Sequence, residues 1–202
     1  MKQWAVFLDR DGVINEEVNY LSSPELLRLL PGAAQAIRLL NGRRIPVIVV
    51  SNQAGIARGR FSEEQVQKIH DRLSALLSGE GAHIDRYYYC PHHPTEGLGP
   101  YRMDCECRKP KPGLLLKAGS EMNLDLEQSY LVGDNVTDIE AGMRAGVTSI
   151  LVLTGYGESL WRGWPAPFQP HYVARDLGEA VSWILHAGER VNLARDGHGR
   201  RS

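Results

Sequence analysis

What most limits the fold of this chain is a unit that recurs along it: a short, mostly apolar run, a polar residue at its end, then a stretch with helical hydrophobic spacing. Val6-Phe7-Leu8, Ile45 to Val50, Ile84 to Tyr89, Tyr130-Leu131-Val132 and Val147 to Leu153 are such runs. Bounded by turn residues, they read as buried strands, apolar because both faces of a central parallel strand are covered. Between them, Gly32 to Gly42 carries Ala33, Ala36, Ile37 and Leu40 at helical spacing. Ser62, with Gln65 three residues on, opens a helix whose apolar stripe is Val66, Ile69, Leu73, Leu76 and Leu77. Pro112 suits the first turn of a helix over Leu114 to Met122, and Asp138 to Ala145 reads as a helix closed by Gly146. This alternation predicts an α/β fold, a doubly wound and mostly parallel sheet with helices on both faces. Asn15 to Pro31 reads as a loop or hairpin near the active edge.

Beyond Thr154 the pattern weakens. A loop rich in Gly, Trp and Pro leads to a short strand over His171 to Ala174 and a last helix over Leu177 to His186. Residues 1–187 are expected to form one domain, and the polar residues 188–202 a disordered tail. A length of 202 residues suits one domain with an ample core. Basic and acidic residues number 23 and 24, a net charge of −1, so no electrostatic footprint of nucleic acid or an anionic membrane is present. No apolar run is long enough to span a bilayer. Because Met1-Lys2-Gln3-Trp4 runs straight into the first strand, a cytoplasmic protein is expected.

The polar residues at the strand ends carry the chemistry. Asp9 and Asp11 follow the first strand, Ser51 and Asn52 the second, and Asp134 and Asp138 the fourth, while Lys109 precedes the helix leading into that fourth strand. In a parallel sheet the carboxyl ends of the strands meet at one edge, where ligands gather. Clustered aspartates repel unless a cation sits among them, and hard oxygen ligands suit Mg²⁺. A lysine and a hydroxyl beside such a metal describe a phosphoryl pocket. Asp9 is then a candidate nucleophile and Asp11 a candidate general acid and base. Strand-end residues that only cap helices would explain each position singly but not the set.

The three cysteines lie in one segment, Cys90-Pro91-His92 and Cys105-Glu106-Cys107. With His92, or alternatively His93, they make a complete tetrahedral set for Zn²⁺, with no position left for water and hence structural. The alternative is a reduced cysteine loop without metal. Zinc here would staple a loop that runs directly into Arg108 and Lys109.

These residues resemble the haloacid dehalogenase superfamily of phosphohydrolases. Asp9-Arg10-Asp11-Gly12, Ser51-Asn52-Gln53, Lys109, and Gly133-Asp134 with Asp138 look like its four motifs, in order, between Val6 and Leu153. The resemblance implies that Asp9 is the nucleophile and Asp11 the general acid/base. It implies that Mg²⁺ is held by Asp9, Asp134 and the backbone carbonyl of Asp11, with Asn135 or Asp138 near its waters, and that Ser51 and Lys109 grip the phosphoryl oxygens.

The cysteine loop is similar to that of one subgroup, the heptose-bisphosphate phosphatases and the histidinol-phosphatases. Ser51 to Gly59 and Cys105 to Gly113 look like the heptose enzymes. That implies a phosphoric monoester hydrolase acting on a small sugar bisphosphate in nucleotide-activated heptose synthesis, with histidinol phosphate or another small phosphomonoester as the alternative. Arg108 would hold the phosphate that is not cleaved. Further contacts are expected from Asn52 and Gln53 and from Asn19 and Tyr20. Arg58 is left open between a substrate contact and a solvated loop charge. The resemblance implies no large cap domain, so shielding would fall to the loops at 15–23, 53–60 and 90–107, and a capless domain with so ordinary a surface is expected to be a monomer. A non-catalytic, zinc-stapled module that binds a phosphorylated ligand is the reading from another class, and the intact acid, hydroxyl and lysine set speaks against it. Gly155-Tyr156-Gly157, Trp161 and Trp164 match no motif, and the two tryptophans read as packing.

Overall fold

A computed structural model describes the backbone of residues 2–196 and the side chains of residues 2–187. A six-stranded sheet in the order β3-β2-β1-β4-β5-β6 forms its middle layer. Its strands are β1 (Val6–Leu8), β2 (Val47–Asn52), β3 (Arg86–Cys90), β4 (Tyr130–Gly133), β5 (Thr148–Val152) and β6 (Tyr172–Ala174). All the pairings are parallel: Val6 faces Val47 on one side and Tyr130 on the other, and Gly133 faces Leu151. The chain winds outward from β1 both ways, so the reversal of direction falls between β1 and β4, where ligands of such sheets bind.

The helices are α1 (Ala33–Gly42), α2 (Ala54–Ala57), α3 (Glu63–Gly79), α4 (Gly113–Glu121), α5 (Val136–Ala145), α6 (Gly157–Trp161) and α7 (Leu177–Asp196). Strand alternation divides the core between the two faces of the sheet. Val6, Leu8, Val47, Val49, Val132 and Ile150 pack under Ile37 and Leu40 of α1, Ile69 and Leu73 of α3, and Val181 and Ile184 of α7. Phe7, Ile48, Val50 and Leu131 pack on the other side under Leu114 and Leu115 of α4 and Ala141 of α5. Each fully buried Leu, Ile or Phe contributes about 1.5–3 kcal/mol of transfer free energy. These strands tolerate apolar residues on both faces because both faces are covered.

The fold class is the one the alternation predicts, with differences at the element ends. β2 begins at Val47 and includes Ser51 and Asn52, because those residues continue the ladder opposite Tyr89 and Cys90. β3 starts at Arg86 rather than Ile84, since Asp85 turns its carboxylate back to accept from the Val47 N–H at 2.7 Å. α5 starts at Val136, two residues early, behind an Asn135 cap. The last helix does not stop at His186 but continues to Asp196, so residues 188–196 of the expected tail are helical. Residues 197–202 lie outside the described ones. α2 and α6 were not foreseen; each is a single short turn with no room for an apolar period. No described helix is long and apolar enough to cross a membrane. The connections from β1 to α1 and from β3 to α4 are loops carrying only single 3₁₀ turns, Pro24–Leu26 and Gly99–Tyr101, and no cap domain forms among the described residues.

Candidate active site

Four segments deliver polar side chains to one cavity of about 300 Å³ at the carboxyl edge of the sheet. Asp9 and Asp11 enter from the end of β1, Ser51, Asn52 and Gln53 from β2, Arg108 and Lys109 from the approach to α4, and Asp134, Asn135 and Asp138 from β4 and α5. Asn19 and Tyr20 also line it, both with left-handed backbone (φ 49° and 76°).

Lys109 is the centre of charge. Its side chain is 3 % exposed, and its ammonium lies 2.9 Å from Asp9 Oδ1 and 2.6 Å from Asp138 Oδ1. It donates to the carbonyl of Val50 at 2.8 Å. These two carboxylate oxygens are buried, and apart from the ammonium neither meets a hydrogen-bond donor. Burial would lower the Lys109 pKa, but Asp138 and Asp9 raise it above the ordinary lysine value, so the ammonium is permanent. One such cation cannot neutralise its neighbours. Burial, with repulsion from Asp138 and Asp11, pushes Asp9 up to about 7 against the pull of Lys109. Burial, with repulsion from Asp9 and Asp138, pushes Asp134 up to about 8. Carboxylate oxygens of Asp9, Asp134 and Asp138 lie within 4.8 Å of one another. An excess of buried negative charge with unpaired oxygen lone pairs fits a hard divalent cation. Asp138 has a second task, because its Oδ2 accepts from the Asn135 N–H at 3.0 Å and closes the capping box of α5.

Asp11 faces a different set of partners. Arg10, with no exposed side chain, donates to it from Nε at 3.2 Å and from Nη2 at 2.7 Å. Asn15 Nδ2 donates at 2.8 Å and Gln53 Nε2 at 3.3 Å. Burial favours the neutral acid, yet Arg10 and these donors hold its pKa below the ordinary carboxylate value. Gln53 also donates to Ser51 Oγ at 2.7 Å, so one amide links the hydroxyl and the carboxylate. Asn52 grips the peptide of Lys109 from both sides, accepting its N–H and donating to its carbonyl, each at 3.0 Å.

The cysteine segment closes beside this cavity. The sulfur separations are 3.4 Å for Cys90–Cys105, 3.1 Å for Cys90–Cys107 and 3.2 Å for Cys105–Cys107, with His92 Nδ1 3.4 Å from Cys107. These are a little under the edges of a tetrahedron with Zn–S bonds of about 2.3 Å. His92 is the imidazole in the cluster. His93 turns away, its Nδ1 accepting from the Glu96 N–H at 3.0 Å. The hydrogen bond with Cys90 pulls the Cys107 thiol down to about 5, against burial and with help from Cys105 and His92, while that bond and burial push Cys90 up. Arg108 lines the cavity and donates from Nη1 to the His92 carbonyl at 3.1 Å, joining the cluster to the site.

Arg58 lies outside the cavity wall. It pairs with Glu96 at 2.8 Å and lies over the Tyr20 ring at 5.4 Å, with Arg60 over the same ring at 4.4 Å. Trp161 and Trp164 pack edge to face on each other at 5.9 Å. The sequence reading passed over Glu17, Phe61, Thr137 and Tyr156, which also line the cavity, and over the anchoring of Asp11 by Arg10 and Asn15. Arg10 carried a signal, a basic residue between two aspartates just after an apolar strand; the others carried none.

The fold and this constellation define a hydrolase of the haloacid dehalogenase-like class, and a HAD-hydrolase-like family model matches residues 106–180. A D-glycero-D-manno-heptose-1,7-bisphosphate 7-phosphatase of Thermosynechococcus vestitus is 43% identical over 189 residues, covering 91% of this chain and 96% of that one. The D-glycero-beta-D-manno-heptose-1,7-bisphosphate 7-phosphatase of Escherichia coli K12 is 40% identical, covering 91% of this chain and 88% of that one. The crystal structure of D,D-heptose 1,7-bisphosphate phosphatase from B. bronchiseptica, complexed with magnesium and phosphate, superposes with a TM-score of 0.82 at 34% identity, covering 93% of this chain and 99% of that one. The chain belongs to the D-glycero-D-manno-heptose-1,7-bisphosphate 7-phosphatase family.

Proposed function

We propose that this chain removes the 7-phosphate of D-glycero-D-manno-heptose 1,7-bisphosphate, leaving heptose 1-phosphate, and that it does so as a monomer. The observation that carries the reading is the meeting of Asp9, Ser51, Lys109, Asp134 and Asp138 in one cavity. The names of the relatives and of the magnesium- and phosphate-bound structure support the substrate and the metal.

In this reading a carboxylate oxygen of Asp9 attacks the phosphorus of the 7-phosphate, and the bond from phosphorus to the sugar oxygen breaks. Asp11 gives its proton to the leaving alkoxide. Water then attacks the phosphorus of the aspartyl-phosphate and passes a proton to Asp11, and cleavage of the new bond frees phosphate and Asp9. Asp11 stands ionised against Arg10, so it must take up a proton and turn from the guanidinium before it acts as the acid. Ser51 and Lys109 hold the phosphoryl oxygens, and Asn52 and Gln53 fix those two groups. Mg²⁺ would be held by Asp9, Asp134 and the backbone carbonyl of Asp11, with Asn135 and Asp138 near its waters; when bound it neutralises charge on the phosphoryl group. Arg108, half-buried and free at one end of its fork, suits the uncleaved phosphate, with Asn19 and Tyr20 along the sugar. Zn²⁺ on Cys90, His92, Cys105 and Cys107 would be structural.

Phosphate release from the α and β heptose 1,7-bisphosphates with Mg²⁺ tests this, alongside histidinol phosphate. One equivalent of phosphate is expected from the bisphosphate, and none from Asp9→Asn under the same conditions. A higher kcat/KM for histidinol phosphate, or undiminished turnover by the Asn variant, overturns the substrate or the nucleophile respectively.

A further inference from the structure

The loop after β5, for which the sequence suggests no task, reaches back across the sheet to the acidic cluster. Three successive residues make the contact. Thr154 Oγ1 donates to the carbonyl of Gly12 at 2.6 Å. Gly155, with φ +55°, lies so close that a Cβ there would be 2.0 Å from Asp134 Oδ2 and 2.7 Å from the Gly12 Cα. The backbone N–H of Tyr156 donates to Asp134 Oδ2 at 2.9 Å. Gly12, with φ +78°, leaves the matching space from the other side, where a Cβ would be 2.2 Å from the same oxygen. Asp134 Oδ2 is therefore wedged between two glycines and pinned by one amide. Thr154 fixes the carbonyl of the residue that follows Asp11. One loop thus braces both strand ends, β1 and β4, that carry the acids.

We propose that Thr154-Gly155-Tyr156 is a positioning element of the metal site, with the Tyr156 amide and the Thr154 hydroxyl orienting Asp134 and the Asp11–Gly12 turn for a divalent cation. The proposal rests on the metal reading above and deepens it. Groups that orient a metal ligand through its other atom typically change metal affinity by about 10–100-fold when removed. Tyr156 has a φ of −83° that proline accepts, so Tyr156→Pro removes the amide donor and sets its ring Cδ against Asp134 Oδ2, displacing that oxygen from the position the amide gives it. Tyr156→Ala deletes the ring and keeps the donor.

Mn²⁺ binding to the full-length protein, followed by the loss of the free-ion electron paramagnetic resonance signal, separates the two. The dissociation constant is expected to rise about 10-fold or more in Tyr156→Pro and to stay at the wild-type value in Tyr156→Ala. Phosphatase activity of Tyr156→Pro should recover as Mg²⁺ is raised to saturation, a rescue that general misfolding does not give. Equal Mn²⁺ affinity in the Pro and Ala variants overturns the proposal. No Mn²⁺ binding by the wild-type protein overturns the metal reading beneath it. If circular dichroism shows Tyr156→Pro unfolded, Thr154→Val decides: a rise of about 3-fold or more supports the brace, and an unchanged constant overturns it.

Discussion

Asn52 lies on the cavity wall, where a substrate contact is the obvious assignment, yet both ends of its amide are spent on the peptide of Lys109. A residue that touches substrate and one that holds a catalytic group fail differently. Asn52→Ala should leave KM within a few-fold and cut kcat by about 10²-fold, because a misplacement of about 1 Å at a phosphate-gripping group costs that much. Steady-state kinetics on the bisphosphate check it, and a rise in KM at constant kcat would return Asn52 to the substrate. The same distinction explains what could be read at this scale beforehand. Asp9, Ser51 and Asp134 stood out because each is a polar residue at a strand end, a position that topology alone carries to the site, and Lys109 because it precedes the helix that leads into β4. The fork of Arg10 on its neighbour Asp11 was invisible because it is set by side-chain rotamers, and the amide of Tyr156 on Asp134 because it is set by backbone direction across loops far apart in sequence. Gln53 and Arg58 illustrate the limit, since a motif shows that such residues sit near the site but not which way they point.

At the scale of elements, the strands and the long helices were legible because burial on one face or two writes a period of its own. The ends were not, since they depend on partners: Asp85 folds back onto Val47, and Asn135 rather than Asp138 opens α5. The cysteine loop is the element whose mechanics matter most. Its three thiols and His92 gather the two ends of the segment from Cys90 to Cys107, and it is tied to the site through the Arg108 bond to His92 and the Asn52 grip on Lys109. Cross-linking a loop of this length removes on the order of 3 kcal/mol of chain entropy from the unfolded state. Cys107→Ser is therefore expected to lose its zinc and to unfold roughly 6–12 °C lower. Elemental analysis should find close to one zinc per wild-type chain, and a metal-free wild type or an unshifted unfolding temperature would remove the staple.

For the molecule as a whole, the buried acids make stability depend on pH and metal together, and the sign can be worked out. Without a divalent cation the folded chain holds protons on Asp9 up to about 7 and on Asp134 up to about 8, whereas the unfolded chain releases them near the ordinary value of 3.8. Between those limits the folded state binds more protons, so these groups stabilise it at low pH, and the benefit is lost as pH rises through 7 and 8. His70 opposes them at lower pH. Burial, with Arg10 nearby, holds it neutral down to about 3 in the fold against 6.5 in the free chain, so its contribution rises with pH and is complete once pH passes about 6.5. Above that point the Cys107 thiol still opposes the acids: held down to about 5 in the fold against 9 in the free chain, it adds stability as pH rises, with or without Mg²⁺. The acids are therefore isolated by comparing unfolding with and without Mg²⁺ at pH 6.8 and pH 8.8, with no chelator, so that the cysteine cluster contributes equally to both. Mg²⁺ binds the ionised carboxylates, so it competes with their protons and gains affinity over the same interval. At about 100 times its dissociation constant it adds about 2.7 kcal/mol, or roughly 5–11 °C for a chain of this size. Differential scanning calorimetry at the two pH values, with and without Mg²⁺, should show the larger metal-induced rise at pH 8.8. An equal rise at both would mean that Asp9 and Asp134 are already ionised in the metal-free fold, and that Lys109 balances the cluster on its own.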